Sequence, residues 1–202
     1  MNFRLLPPSA LEPQVKPEFW ELIAAGPRPF ANDKALSPAL PPPKPSGLPS
    51  QQAFFERILP YALQTQNMTG IPASVTMAQA ALESGWGKHA PGNNFFGIKG
   101  SGPAGSQKLS TREFIAGKWR RTVSNFRRYN DPMESFLDHA QVISEGRYLK
   151  HAMKHTSSAK EFVHALQSGK TRYATDPNYE AKILRMIARY GLERYDTGRL
   201  HA

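Results

Sequence analysis

The segment Ala78-Gln79-Ala80-Ala81-Leu82-Glu83-Ser84-Gly85-Trp86-Gly87 sets one carboxylate at the end of an apolar, helix-spaced run. In the last turn of a helix the macrodipole presents partial negative charge, which disfavours an ionised carboxylate. Trp86 and the apolar neighbours remove water from the same group. Both effects raise the pKa of Glu83, and a carboxyl still protonated near neutral pH is a usable general acid. The alternative is a solvated helix-end glutamate with no chemistry. Against it stands the collar of small residues, Ser84, Gly85 and Gly87, which lets a bulky substrate approach the carboxyl.

General-acid cleavage of a glycosidic bond commonly draws on a second carboxylate, as nucleophile or as base for water. Asp131, Asp176, Glu134 and Glu161 all sit where helix caps are needed. Glu113, in the β-like run Ser110-Thr111-Arg112-Glu113-Phe114, has no such duty and is the candidate. Its other reading is an exposed hairpin glutamate beside an arginine. Tyr173 and Tyr179 flank a helix start, where they can pack as half-buried aromatics or place a hydroxyl near the acid.

Positioning these groups falls mainly to helices. Phe54, Phe55, Ile58 and Leu63 recur at helical spacing, with a kink expected at Pro60. A second helix is expected to start with Pro72 in its first position, bury Val75, Met77, Ala78, Ala81 and Leu82, and stop at Ser84-Gly85. A Gly/Pro-rich turn over 100–105 leads to two β-like runs, Thr111–Ile115 and Trp119–Phe126. The turn Ala116-Gly117 between them makes a small antiparallel hairpin. Capped starts at Asp131-Pro132, Ser158 and Asp176-Pro177 open three more helices, with stops at Gly169 and Gly191 for the last two. The reading is an α+β fold in three parts: a Pro-rich, extended segment 1–50 with one short helix over Glu18–Ala25, a folded domain 51–196, and a tail 197–202. Segment 1–50 holds 12 of the 18 prolines, which favours an extended course and a role as a docking peptide or a loosely packed strap.

Composition excludes several classes. With no cysteine there is no disulfide, thiolate metal site or Cys nucleophile. No apolar run approaches the roughly 18–20 residues of a membrane span. The first residues lack a signal peptide's apolar stretch, so a substrate outside the membrane would require another delivery route, by secretion channel or phage lysis. No Gly-rich phosphate loop precedes a helix, so no nucleotide cofactor is expected. His151 and His155 stand at i,i+4 spacing without a carboxylate nearby, and read as a helix face rather than a metal site. A net charge of +10 implies a polyanionic partner. Arg112, Lys118, Arg120, Arg121, Arg127 and Arg128, interleaved with Trp119, Phe126 and Tyr129, would also suit single-stranded nucleic acid. That rival accounts for the charge but not for Glu83 and its collar.

Ala78–Gly87, Asn93-Asn94-Phe95-Phe96-Gly97-Ile98-Lys99 and Tyr173-Ala174-Thr175-Asp176-Pro177-Asn178-Tyr179, in this order, resemble the bacterial glucosaminidase family, glycoside hydrolase family 73. The resemblance implies a lysozyme-like fold, a helical lobe and a β-hairpin lobe forming a cleft. It implies a monomeric, cofactor-free enzyme cutting peptidoglycan after N-acetylglucosamine in the cell wall or periplasm. It carries the general acid to Glu83, the second glutamate to Glu113 and a catalytic tyrosine to Tyr173, with Tyr179 as the alternative register. Trp86, Asn94, Phe96 and Tyr179 form the implied substrate-binding set. A muramidase or lytic transglycosylase on the same fold, and a scaffold that binds glycan without cutting it, are the neighbouring alternatives.

Overall fold

The computed structural model describes residues 50–115, 118–145, 150–168 and 172–196, with the backbone only for 111–115, 118–120, 145 and 150. Segment 1–49 with its expected helix, the Ala116-Gly117 turn, Gly169 and the tail 197–202 lie outside the described residues. The elements in chain order are α1 (Ser50–Thr69), α2 (Ala73–Glu83), β1 (Ser106–Ile115), β2 (Lys118–Arg127), α3 (Pro132–Glu145), α4 (Ala159–Ser168) and α5 (Tyr179–Tyr190). Short 3-10 helices lie at Pro91–Asn93, Lys150–His155 and Leu192–Tyr195. This is the expected α+β arrangement, mainly helical with one antiparallel hairpin.

Helix α2 carries no charge before Glu83, and a helix without a polar face is stable only when surrounded. Every residue from Ala73 to Ala81 is buried, with α1, α4, α5 and the last 3-10 helix packed around it. Its polar atoms are met from outside. Gln66 accepts the Ala73 N–H at 2.7 Å, and the Asp196 carboxylate takes Ser74 N–H at 2.8 Å and its hydroxyl at 2.6 Å. An anion at a helix N-terminus also offsets the dipole there. Pro72 is the N-cap, so the helix starts at Ala73, one residue later than expected. Helix α1 runs unbroken past Pro60, so the expected kink does not divide it.

The starts of α3 and α4 follow their sequence signals, whereas α5 begins at Tyr179 with Asn178 in the N-cap position and no side-chain cap bond, two residues beyond the expected Asp176 cap. The Glu134 N–H donates to Asp131 at 3.0 Å, and the Glu134 carboxylate takes the Asn130 N–H at 2.7 Å. Glu161 N–H donates to the Ser158 hydroxyl at 3.3 Å. Gly191 ends α5 at φ +60°, where a side chain would be strained. His151 and His155 fall in a 3-10 helix, so the α-helical i,i+4 alignment does not apply. Their rings meet the Ala165 carbonyl and Glu161.

Each strand of the hairpin has ten residues, paired from Ser106↔Arg127 to Ile115↔Lys118. The β-lobe is thus longer than the sequence suggested, because Ser106–Ser110 is mostly polar and carries little alternation. A two-stranded sheet is marginal alone. Its root is fastened to α3: Arg127 Nη1 lies 2.6 Å from Asp138 Oδ1, Tyr129 donates its hydroxyl to the same carboxylate at 2.5 Å, and both side chains of the ion pair are buried. Arg127 also donates to the Lys99 carbonyl through Nε and to the Ile98 carbonyl through its backbone N–H.

Candidate active site

Three left-handed residues in succession, Gly85 (φ +56°), Trp86 (+64°) and Gly87 (+77°), turn the chain sharply after α2. Ser84 fixes the turn by donating its hydroxyl to the Ala80 carbonyl at 2.6 Å while accepting the Gly87 N–H at 2.7 Å. A bulky residue at positive φ persists only where its surroundings hold it. Trp86 is held by edge contacts with Phe54, Phe55 and Tyr190, ring centroids 5.3–6.0 Å away. A Cβ on Gly87 would stand 3.0 Å from the Phe54 ring and would displace the Arg57 guanidinium, and at φ +77° any side chain there is strained, so the position favours glycine.

The result is a carboxyl group at the rim of the helical core. Glu83 keeps part of its surface open, while its carboxyl is enclosed by protein. Loss of water, partly offset by the Tyr179 hydroxyl 3.5 Å from Oε1, raises its pKa from 4.5 to about 8. At neutral pH roughly nine in ten such groups carry their proton. The expected direction of shift is therefore present, with burial as its largest cause.

Behind Glu83 lies a buried polar wall. Gln79, one turn earlier on α2, donates through Nε2 to the Tyr179 hydroxyl at 3.0 Å. The Tyr173 ring lies 5.4 Å from that of Tyr179, and its hydroxyl lies 3.1 Å from His139 Nε2 on α3. Burial raises the pKa of both tyrosines, and the Glu83 charge adds to the effect, so they stay protonated. His139 is pushed the other way, to about 3, because burial disfavours the imidazolium. The site is thus a protonated acid backed by neutral donors.

Of the residues expected at the site, Glu83, Tyr173 and Tyr179 come together, with Tyr179 rather than Tyr173 against the carboxyl. Trp86 stands three residues after Glu83 but packs its ring into the α1–α5 aromatic cluster. Phe96 is fully buried, its ring 3.8 Å from His139 in a parallel stack. A side chain without exposed surface cannot line a groove, so its expected contact with substrate is corrected to support of the wall. Asn94 is likewise interior: it donates to the Ile98 and Arg127 carbonyls at 2.9 and 3.0 Å and accepts the Ile98 N–H. Glu113 pairs with Arg120 across the hairpin backbone, and its side chain lies outside the described residues. Gln79 and His139 were not anticipated. The one available signal for Gln79 was its place four residues before Glu83, on the same face of an otherwise uncharged helix.

Among the described residues no three His, Asp or Glu side chains gather as a metal would require, and no helix is long and apolar enough to cross a membrane. Residues 59–192 match the family described as mannosyl-glycoprotein endo-beta-N-acetylglucosaminidase. An autolysin of Enterococcus faecalis is 39% identical over 158 residues, covering 73% of this chain and 21% of its own length. A probable N-acetylmuramidase of Lactococcus lactis is 37% identical over 156 residues, covering 73% of this chain and 35% of its own. This chain therefore spans a fifth to about a third of these relatives. The catalytic domain of the Listeria monocytogenes autolysin Auto superposes with a TM-score of 0.67 at 34% identity, covering 75% of this chain and 90% of that domain. With a lysozyme-like fold, a family match over residues 59–192 and relatives of this identity, the chain belongs to the glucosaminidase family of glycoside hydrolases.

Proposed function

We propose that the chain hydrolyses the glycan strands of peptidoglycan at the β-1,4 bond following N-acetylglucosamine, with Glu83 as general acid. The observation that carries this reading is the Glu83 carboxyl, desolvated at the end of α2, with its pKa near 8 and the Tyr179 hydroxyl beside it. Glu83 gives its proton to the leaving glycosidic oxygen as the C–O bond breaks and positive charge grows at the sugar's anomeric carbon. The new carboxylate is then met by the Tyr179 hydroxyl. A water molecule completes the reaction at the anomeric carbon and yields its proton to a second group. Glu113 is assigned that role because the other acidic residues weighed for it serve helix starts. Tyr173 supports the site from behind Tyr179. The +10 charge supports a setting in the cell wall, where the polymers are anionic.

The test is digestion of purified peptidoglycan by the full chain and by Glu83→Gln, with released ends identified by mass spectrometry. Reducing N-acetylglucosamine ends from wild type, reduced about 100- to 10,000-fold in the variant, are expected. A second reading is a muramidase, favoured by the similarity to the probable N-acetylmuramidase of Lactococcus lactis. Reducing muramic acid ends would select it. No release from any wall preparation would remove both readings.

A further inference from the structure

Two buried side chains behind Glu83 each leave one polar atom without a partner. These are Oε1 of Gln79 and Nδ1 of His139. Buried polar atoms are rarely left so, and each exception asks for a reason. In both residues the partnered atom is Nε2, and in both it meets a tyrosine hydroxyl: Gln79 reaches Tyr179 at 3.0 Å and His139 reaches Tyr173 at 3.1 Å. The two contacts span 100 and 34 residues of sequence. They come from different helices and converge on the tyrosine pair that backs the acid.

Direction follows from the chemistry of each group. A Gln Nε2 can only donate, so the Tyr179 oxygen accepts from it and its own proton must point elsewhere. The acceptor within reach is Glu83 Oε1, at 3.5 Å. His139 has two neutral tautomers. A proton on Nδ1 would bury an N–H with no acceptor, whereas a proton on Nε2 leaves only an unpartnered lone pair. Orphaned N–H groups are the rarer of the two. The Nε2–H form donates to the Tyr173 oxygen, and that hydroxyl also interacts with the Tyr179 hydroxyl. Gln79 and His139 then donate into the tyrosine pair, and Tyr179 donates to the carboxyl.

We propose that Gln79 and His139 are positioning residues, which from two helices orient the Tyr173 and Tyr179 hydroxyls so that Tyr179 donates to Glu83 Oε1. The carboxyl proton is left on Oε2, the oxygen free to face the leaving group. When Glu83 loses that proton, an aligned donor is already present for the carboxylate, with no reorganisation at the moment of reaction. This rests on the reading of Glu83 as the acid, and it adds what makes the acid able to release its proton.

The experiment is a carbon-13 NMR titration of the Glu83 carboxyl in the full chain, with no substrate present. Wild type is compared with Gln79→Met, His139→Phe and His139→Gln, alongside nitrogen-15 shifts of His139 in wild type. Tyr179 from α5 and Tyr173 from the loop before it are the titratable side chains that act on Glu83 among the described residues. Losing either positioning residue is expected to raise the Glu83 midpoint by about half a unit to one unit. At pH 6, kcat on peptidoglycan should fall by up to about three- to ten-fold with KM unchanged. His139→Gln, whose amide nitrogen can still donate to Tyr173, should recover most of both. The nitrogen shifts should report the Nε2–H tautomer. An Nδ1–H tautomer in wild type, or an unmoved Glu83 midpoint in folded variants, overturns the proposal. If midpoints move while wild type cuts no wall, the positioning network stands and the enzymatic reading fails. If wild type cuts and midpoints stay fixed, the reverse holds.

Discussion

The wall around Glu83 and the β-hairpin are built on opposite plans. In the wall, Gln79, His139 and Tyr179 come from three helices and Tyr173 from the loop that leads into the last of them, and all four are buried. In the hairpin, Lys108, Ser110, Arg121 and Asn125 are exposed, and Val123 keeps 67% of its surface in water. The wall is held by many tertiary contacts. The hairpin is held by its own ladder and by a buried ionic root, Arg127–Asp138–Tyr129. An acid whose proton must be tuned belongs where the dielectric is low and the donors are fixed. A lobe that meets a long polymer can be mostly solvent-facing, provided its root is secure.

The strongest way to break this contrast is to cut the root. Asp138 is buried, accepts from Arg127 at 2.6 and 2.8 Å, and takes the Tyr129 hydroxyl. Asp138→Ala leaves a buried guanidinium without its counter-charge, and is expected to cost about 3–5 kcal/mol in urea unfolding. The double variant Arg127→Met, Asp138→Leu removes both charges and should recover a large part of that loss. If the single variant proves as stable as wild type, the hairpin does not depend on its ionic root.

Second in size is the effect of Glu83 on stability, and its sign is opposite. An unfolded glutamate ionises near pH 4.5, while the folded one holds its proton to about 8. Below 4.5 both states are protonated and Glu83 makes no difference. Between 4.5 and 8 only the unfolded chain releases the proton, so folding is increasingly penalised, and above 8 the penalty is constant. Glu83→Gln should therefore match wild type near pH 4 and gain on the order of a few kcal/mol at pH 8. His139 acts at the acid end. With a folded pKa of about 3 against 6.5, its contribution is complete above 6.5 and is lost as pH falls toward 3. Between 4.5 and 6.5 the two slopes oppose, so wild-type thermal midpoints should be flattest there and decline from 6.5 to 8. A Glu83→Gln midpoint no higher than wild type at pH 8 would mean the carboxyl is not held protonated.

These groups also mark how far the sequence was legible. The helix starts were readable because Asp131 and Ser158 cap through contacts three residues away. Glu83 was readable because its turn is local: glycines directly after an apolar helix mark a chain that takes positive φ to end it. Tyr179 against Glu83, Gln79 against Tyr179 and His139 against Tyr173 join residues 34 to 100 positions apart, and no periodicity encodes such a pair. Phe96 was misread for a related reason. Its motif sits in an irregular loop, where the inward direction is set by Asn94 bonding the Ile98 and Arg127 backbone rather than by a repeat of 2.0 or 3.6. The hairpin length was underestimated because a solvent-facing strand of Ser, Gln and Lys shows little of the apolar alternation that marks a half-buried one.

The smallest effects come from making one substitution on both plans. Val75 lies in α2 with no exposed surface, and Val123 is a large hydrophobic residue left open on β2. Changing either to Thr keeps the β-branch and nearly the same volume, so only the new hydroxyl differs. At Val123 water solvates that hydroxyl, and thermal unfolding should shift by no more than about 0.5 kcal/mol. At Val75 the hydroxyl must find a partner inside the core. The neighbouring Thr76 shows the available escape, a weak 3.4 Å bond to the carbonyl four residues back. A bond of that length offsets little of the desolvation, so Val75→Thr should cost about 1–3 kcal/mol. Equal costs at the two sites would mean that α2 tolerates polar groups as freely as the hairpin does. The raised pKa of Glu83 would then have lost its physical basis, since both rest on the exclusion of water from the same helix.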